Sequence, residues 1–246
     1  MKVVSWNVFN LNDDFEAFAS FIKNERADVY ALQELTDEHI AFFRTLEGYQ
    51  LFSAEDFVEG DQITYLGILT RLPARDHEVI AHNPDRAVSD SVQGHRMKWR
   101  ECLDSHAVTV RAEGHDVRIA NLHLSCGVSP GIRRQQLNEA SKHWLDFHRA
   151  VVCGDFNSFG RPLLNLAIGW LYGFGLSDVL VNEDRELTRF AQDHGFTRAF
   201  QRAITFPRYR LHLDHVLARG VSVSWTRVEQ DTHGSDHRPL IVELAL

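Results

Sequence analysis

The sequence of 246 residues predicts an α/β fold of the α+β kind, in which two β-sheets pack face to face and helices cover their outer faces. Two observations predict it. Short apolar segments typical of strands lie at both ends of the chain, and segments with helical periodicity lie between them. No repeat, low-complexity tract or Pro/Gly/Ser-rich linker divides the sequence, so we expect residues 1–246 to form a single domain.

The first half of the chain begins with an apolar strand over 3–9. Asp13-x-x-Glu16 resembles a capping box, and Phe18 and Ile22 after it share one helical face, which predicts a helix. Glu113-Gly114 lies between two strand-like segments and predicts a hairpin. The other elements expected here are strands over 27–33, 49–53, 63–70, 79–81, 100–110 and 115–122, a helix over 36–46 and a loop over 83–94.

The second half begins with Ser129-Pro130, a helix cap followed by a first-turn proline. The apolar and small residues after it keep a helical spacing as far as His148. A short buried strand follows over 151–153, and a helix over 161–175 is expected to end at its glycines. Three strands close the chain, over 212–217, 221–227 and 240–244.

The charge of the chain is uneven. Lys and Arg number 26 against 34 Asp and Glu, which gives a net charge of −8. Residues 1–62 have a charge of −9 and so carry all of the excess acid. Residues 197–227 are the reverse, since six arginines there accompany the single acid Asp214. The net charge disfavours binding along extended duplex nucleic acid, where neutralised phosphates supply most of the affinity. It leaves short or terminal phosphate substrates open.

The cysteines Cys102, Cys126 and Cys153 have no metal-type spacing and cannot all pair, which favours a reducing compartment. The chain has no run of 18 apolar residues and no signal-peptide pattern at its start. We therefore expect a cytoplasmic protein without a membrane span. The oligomeric state stays open.

Polar side chains at five places lie at or near predicted strand ends, where apolar periodicity gives no reason for them. Each alone also has a plain structural explanation, as a turn former, a solvated strand end or a hydrogen-bonded histidine. Together they are typical of the edge of an active site. They are Asn7, Glu34, His123, Asp155, Asn157, Asp214, Asp236 and His237.

The chemistry of this set favours a hard metal ion and a phosphate ester. Carboxylate and amide oxygens without a thiolate pair favour Mg²⁺, with Mn²⁺ as a substitute, over zinc. Hydrolysis of a phosphate ester needs charge neutralisation, an aligned water and a donor at the departing oxygen, and the set offers each. The sequence has no Walker A loop, Gly-x-Gly-x-x-Gly or His-Glu-x-x-His, which discounts NTPase, dinucleotide-dependent and zincin chemistry.

Seven blocks of the sequence resemble the endonuclease/exonuclease/phosphatase superfamily, which has the DNase I-like fold. They occur in the family's order over nearly the whole chain, and the resemblance implies a four-layer sandwich of two packed mixed sheets flanked by helices. The blocks are Ser5-Trp6-Asn7, Leu32-Gln33-Glu34, Asn121-Leu122-His123-Leu124, Arg133-x-x-Gln136-Leu137, Gly154-Asp155-Phe156-Asn157-Ser158, Leu213-Asp214-His215-Val216 and Ser235-Asp236-His237-Arg238-Pro239-Leu240.

The resemblance also implies roles for the eight residues. Asn7 and Glu34 would hold the divalent metal, with Asp236 near it. Asp155, assisted by Asn157, would position or deprotonate the attacking water. His237, oriented by Asp214, would stabilise the pentacovalent phosphorus or serve as the base, and His123 would contact the phosphate or assist the leaving group.

The resemblance defines the reaction better than the substrate. Val8-Phe9 after Asn7, and Leu35-Thr36 after Glu34, differ from the abasic-site endonucleases, so the chain is more similar to bacterial members of the broad phosphodiesterase and phosphatase branch. We expect a metal-dependent phosphoesterase. An endo- or exonuclease acting on DNA or RNA is the alternative, and an inactive binding module with the same fold is a weaker one.

Overall fold

The computed structural model describes residues 1–59, 61–81, 99–101, 104–159 and 174–246, together with residues 162, 165, 166 and 169. Its helices are α1 (Phe15–Glu25), α2 (Asp37–Phe43), α3 (Pro130–Ser141), α4 (Leu176–Val179) and α5 (Glu183–Asp193). Its strands are β1 (Lys2–Asn7), β2 (Val29–Leu35), β3 (Gln50–Glu59), β4 (Gln62–Thr70), β5 (Ala74–Ala81), β6 (Trp99–Glu101), β7 (Asp104–Ala112), β8 (His115–His123), β9 (Ala150–Asp155), β10 (Thr197–Arg198), β11 (Asp214–Arg219), β12 (Ser222–Val228) and β13 (Leu240–Ala245).

These strands form two mixed sheets. In the described residues, one sheet has seven strands in the order β12-β13-β1-β2-β4-β3-β6, and the other has six in the order β10-β11-β9-β8-β7-β5. Each contains one parallel pair near its centre, β1 with β2 and β8 with β9, and the other neighbours are antiparallel.

The alternation of side chains along the strands builds four layers. Val3 in β1 faces the core between the two sheets, whereas Val4 and Trp6 face a second core under α1 and α2. On the other sheet, Val151 faces the shared core, and Val152 packs towards α3 and α5. The predicted fold, two packed mixed sheets with helices outside, is confirmed.

The element boundaries correct several predictions. The cap of α1 is Asp14, whose carboxylate accepts a hydrogen bond from the amide of Ala17 at 3.0 Å, so the predicted capping box starting at Asp13 is wrong. Helix α3 ends at Ser141, before the predicted end of the helical spacing, because the chain turns there while Trp144 stays buried in the core. The hairpin at Glu113-Gly114 is confirmed.

Other elements differ in length from the prediction or were not predicted. Strand β3 continues to Glu59, well past the predicted end at 53, and helix α5 was not expected. The predicted loop over 83–94 and most of the predicted helix over 161–175 lie outside the described residues. No helix within the described part of the chain has the length and apolar character needed to cross a bilayer.

Candidate active site

Strand order brings the predicted polar residues to one edge of the molecule. Asn7 and Glu34 lie at the carboxyl ends of the parallel strands β1 and β2, and His123 and Asp155 end the parallel strands β8 and β9. Asp214 begins β11 and pairs directly with Asp155. Because parallel neighbours end at the same side of a sheet, four separate chain segments deliver their side chains to one place.

Glu34 occupies an irregular position in its strand. Its φ of 58° lies in the left-handed region, and the register of β2 against β4 shifts between Leu32 and Leu35. A bulge of this kind turns a side chain away from the alternation of the strand. The turned carboxylate accepts hydrogen bonds from the side-chain amide of Asn7 at 2.8 Å and from the backbone amide of Asn10 at 3.2 Å.

Asp155 lies at the centre of the cluster. Its Oδ2 is 3.2 Å from Nδ2 of Asn7, 3.8 Å from Nε2 of His237 and 3.9 Å from Nε2 of His123. Its Oδ1 accepts the backbone amide of Asn157 at 2.8 Å, which holds the carboxylate in a fixed orientation. Burial, followed by the charge of Asp214, raises the pKa of the Asp155 carboxyl.

His237 and Asp214 form a buried pair. Nδ1 of His237 lies 2.8 Å from Oδ2 of Asp214, and both side chains are almost fully buried. Burial alone lowers the pKa of the His237 imidazole, but the charges of Asp214 and Asp155 outweigh burial and raise it to about 10. The raised pKa favours the protonated imidazole at neutral pH, and its Nε2 lies 3.8 Å from Oδ2 of Asp155.

A second pair, between His123 and Asp56, was missed by the sequence reasoning. Nδ1 of His123 lies 2.8 and 3.0 Å from the two oxygens of Asp56, which is buried in β3. Burial opposes protonation here too, but Asp56 and the neighbouring carboxylates raise the pKa of His123 well above its ordinary value. The signal that could have found Asp56 is its inward position between Ala54 and Val58, beyond the predicted end of the strand.

The remaining predicted residues lie at the border of the cluster. Nδ2 of Asn157 donates to the carbonyl of Leu124 at 2.8 Å, so this side chain is occupied in holding the loop that follows β8. The side chain of Asp236 is 36% exposed, and its Oδ1 lies 4.0 Å from Nε2 of His237. All eight predicted residues are thus brought to one cluster.

A profile of the Endonuclease/Exonuclease/phosphatase family matches residues 4–237. The chain belongs to this family. No curated protein sequence matches the chain significantly.

Solved structures of family-type proteins share the fold. An endonuclease/exonuclease/phosphatase from Beutenbergia cavernae is 17% identical with a TM-score of 0.76, covering 100% of this chain and 71% of its own. TDP2 from D. rerio, complexed with a single-strand DNA product, is 17% identical with a TM-score of 0.66, covering 100% and 99%. The 3' phosphatase NExo from Neisseria, bound to a product DNA hairpin, is 16% identical with a TM-score of 0.65, covering 100% of both chains. The predicted DNase I-like fold is confirmed.

Two groups of side chains in this family member could hold a divalent metal. The predicted group is Asn7, Glu34 and Asp236. A second group is Asp155, Asp214 and His237, whose ligand atoms all lie within 4.8 Å of one another. In the second group, His237 and Asp214 already use Nδ1 and Oδ2 for each other, and a protonated imidazole has no lone pair for a metal.

Proposed function

We propose that this protein is a divalent-metal-dependent hydrolase of phosphate esters, a phosphodiesterase or phosphatase that acts by in-line attack of an activated water. The observation that carries the proposal is the central carboxylate of Asp155, which lies between two histidine–carboxylate pairs and accepts a hydrogen bond from Asn7, whose amide also donates to Glu34. Proton acceptor, proton donors and oxygen ligands are thereby within reach of one phosphate group.

The donor set fits a magnesium ion, with manganese as a substitute. Among the described residues, Glu34, Asp155 and Asp236 have histidine partners but form no ion pair with Lys or Arg. Burial raises the pKa of the Glu34 carboxyl and of the Asp236 carboxyl, a cost that a bound cation offsets. Glu34, Asn7 and Asp236 would hold the ion, which supplies neutralisation of the phosphate charge.

The other side chains of the cluster have separate roles in the proposed reaction. Because His237 is already protonated, it cannot accept a proton, and Asp155 takes the proton of the attacking water. The cationic His237, held by Asp214, stabilises the negative charge that develops on the phosphoryl oxygens. His123, held by Asp56 through Nδ1, presents Nε2 to the phosphate and assists the leaving oxygen. Asn157 keeps Asp155 oriented through its backbone amide.

Nucleic acid is the second candidate substrate, as an endo- or exonuclease reaction on DNA or RNA. Two of the similar structures support it, since one contains a single-strand DNA product and the other a DNA hairpin product. The net charge of −8 argues against extended duplex binding. An inactive binding module is a weaker candidate, because each of the eight polar residues is present.

We also propose that residues 1–246 form one domain, which is supported by the family profile over 4–237 and by the single core between the two sheets. A cytoplasmic location stays a prediction from the cysteines. Cys153 is fully buried, and burial raises the pKa of its thiol to about 12, so this cysteine is an unreactive core residue.

The test is a metal-dependent activity screen with purified full-length protein. The substrates are single-stranded and abasic DNA, RNA, nucleotides, inositol phosphates and sphingomyelin, each with Mg²⁺, with Mn²⁺ and with EDTA. We expect EDTA to abolish hydrolysis and added Mg²⁺ to restore it. Asp155→Asn should lower kcat on the order of a hundredfold or more, because the water loses its proton acceptor.

The matched control for this substitution is Asp61→Asn. Asp61 is an exposed carboxylate in the turn that precedes β4, so its replacement should leave kcat unchanged. Full activity of Asp155→Asn would reject the assigned role. Metal binding without hydrolysis of any substrate would favour the binding module instead.

A further inference from the structure

A short turn with exposed aromatic and basic side chains lies directly against His237. The ring of Phe206 packs on the imidazole of His237 with centroids 5.0 Å apart, and Tyr209 packs on Phe206 at 5.7 Å with an interplanar angle of 31°. The guanidinium of Arg208 lies over the ring of Tyr209 at 5.4 Å. Tyr209 is 61% exposed, so much of its side chain faces solvent beside the proposed reaction centre.

Backbone hydrogen bonds hold this turn in place. The amides of Thr205 and Phe206 both donate to the carbonyl of Leu211, at 3.0 and 3.1 Å, and the amide of Leu211 donates back to Phe206 at 3.1 Å. The hydroxyl of Thr205 accepts the amide of Asp214 at 3.2 Å, and the amide of Arg238 donates to the carbonyl of Thr205 at 2.7 Å. The turn is therefore fixed to both segments that carry the His237–Asp214 pair.

The structure divides the six arginines of residues 197–227 into two sets. Three have structural contacts: Arg198 pairs with Asp184, Arg219 donates to main-chain carbonyls after α3, and Arg227 pairs with Glu25. The other three are exposed and form no ion pair with any carboxylate in the described parts of the chain. They are Arg202, Arg208 and Arg210, which all lie in or near the turn.

A pocket of about 380 Å³ adjoins the turn. Arg210, next to Tyr209, forms part of its wall, together with Arg202, Gln201 and His212. The one carboxylate in the wall, Asp184, has its Oδ1 bound to Arg198. The pocket thus presents two cations without a carboxylate partner and neutral hydrogen-bonding groups, which suits an anionic group such as a phosphate.

We propose that the turn and this pocket together bind the nucleotide unit next to the scissile phosphate of a single-stranded nucleic acid. The base packs against the exposed ring of Tyr209 and the guanidinium of Arg208 that lies over it. The following phosphate is bound by Arg202 and Arg210 in the pocket. Aromatic rings beside a basic groove are the general means of holding single strands, because every base has a face to stack and every linkage has a charge. This inference rests on the proposed function, since it names the substrate class of the same site.

The experiment measures binding, so that it does not depend on turnover. The protein is full-length Asp155→Asn in Mg²⁺, and the probes are a fluorescent single-stranded oligothymidylate of six nucleotides and an equally charged oligomer of abasic deoxyribose phosphates. We expect the oligothymidylate to bind about tenfold more tightly than the abasic oligomer, because a base stacked on an aromatic ring contributes binding free energy that the abasic unit lacks.

The variants separate stacking from charge. Tyr209→Ala should abolish the tenfold preference for bases, whereas Tyr209→Phe should keep it. Arg202→Ala and Arg210→Ala should each weaken both probes and reduce the slope of log Kd against log salt by about 0.7. The controls are Trp225→Ala, an exposed aromatic on β12, and Arg44→Ala, an exposed arginine at the end of α2, and neither should change binding.

Equal binding of the two probes, or unchanged binding by Tyr209→Ala, would overturn the proposal. An unchanged salt slope in both arginine variants would also overturn it. These results are distinct from a failure of the proposed function, which would show as an inactive wild-type protein in the activity screen whatever the binding of the oligonucleotides.

Discussion

At the scale of single residues, the carboxylate of Asp56 lies against His123 with both oxygens within 3.0 Å of Nδ1. Its Oδ2 also accepts the backbone amide of Glu34 at 3.3 Å, so one buried group positions a proposed proton donor and a proposed metal ligand. A carboxylate on Nδ1 directs the other imidazole nitrogen towards the site as a donor.

We therefore expect Asp56→Asn to lower kcat on the order of tenfold or more with a smaller change in KM, because His123 loses its charged partner but the shape is kept. The measurement is steady-state kinetics on the best substrate from the activity screen, with thermal unfolding as a check on folding. The control is Glu55→Gln, because Glu55 directly precedes Asp56 but its side chain lies on the exposed face of β3. Wild-type kcat in Asp56→Asn would show that His123 needs no charged partner.

At the scale of elements, the parallel pair β8 and β9 sets the distance between His123 and Asp155. Gly154 precedes Asp155 with a φ of 136°, and a Cβ atom there would lie 1.9 Å from the carbonyl oxygen of Leu122 in the paired strand. Only glycine permits this approach, because a side chain would push the strands apart at the point where both functional groups leave them.

Gly154→Ala should thus reduce the free energy of unfolding by about 3 kcal/mol or more, and it should reduce activity as well. Gly114→Ala is the matched control: its φ is also positive, at 79°, but nothing lies within 4 Å of the added Cβ, so only the backbone cost of about 1 kcal/mol applies. Urea unfolding followed by circular dichroism measures both. Similar losses in the two variants would contradict the steric argument.

The observed strands and helices also show which element boundaries the local sequence pattern could predict. Apolar character predicted the strands that lead to Asn7, Glu34 and Asp155, because those residues lie within or shortly after predominantly apolar segments. The same pattern predicted that the third strand ends at 53, and it therefore did not include Asp56. A polar residue on the inward face interrupts the apolar alternation and is easily taken for the end of a strand. The cap of α1 shifted by one residue because Asp13 and Asp14 are equivalent as sequence, and only the geometry selects between them.

At the scale of the whole molecule, the packing of two sheets buries neutral histidines. His106 is fully buried near Asn121 and His77, and burial, followed by the charge of His77, lowers its pKa to about 3. In the unfolded chain the same imidazole titrates near about 6.5. Between these values the unfolded state binds a proton that the folded state does not, so the stabilisation is present above the unfolded pKa and is lost as pH falls.

His106→Gln should remove this dependence. Below about pH 6.5, the free energy of unfolding of the wild type should fall by up to about 1.4 kcal/mol per pH unit more steeply than that of the variant. Urea unfolding between pH 4 and 8 gives both curves, and above about pH 7.5 their slopes should coincide. Parallel curves over the whole range would mean that His106 is not held neutral by the fold.

The sequence by itself determined the α/β class, the packed sheets and the eight polar residues at the strand ends. These features depend on alternation and spacing along the chain, which are local, or on motifs that resemble a known family. The roles of those residues stay a proposal.

The tertiary structure alone decided which side chains meet across the fold. The pairing of Asp56 with His123 joins residues 67 positions apart, and the contact of Phe206 with His237 depends on how one turn packs against another segment. The division of the arginines into structural and exposed sets was likewise decided by their partners in space. No periodicity encodes such contacts, because they depend on the register and stacking of whole sheets.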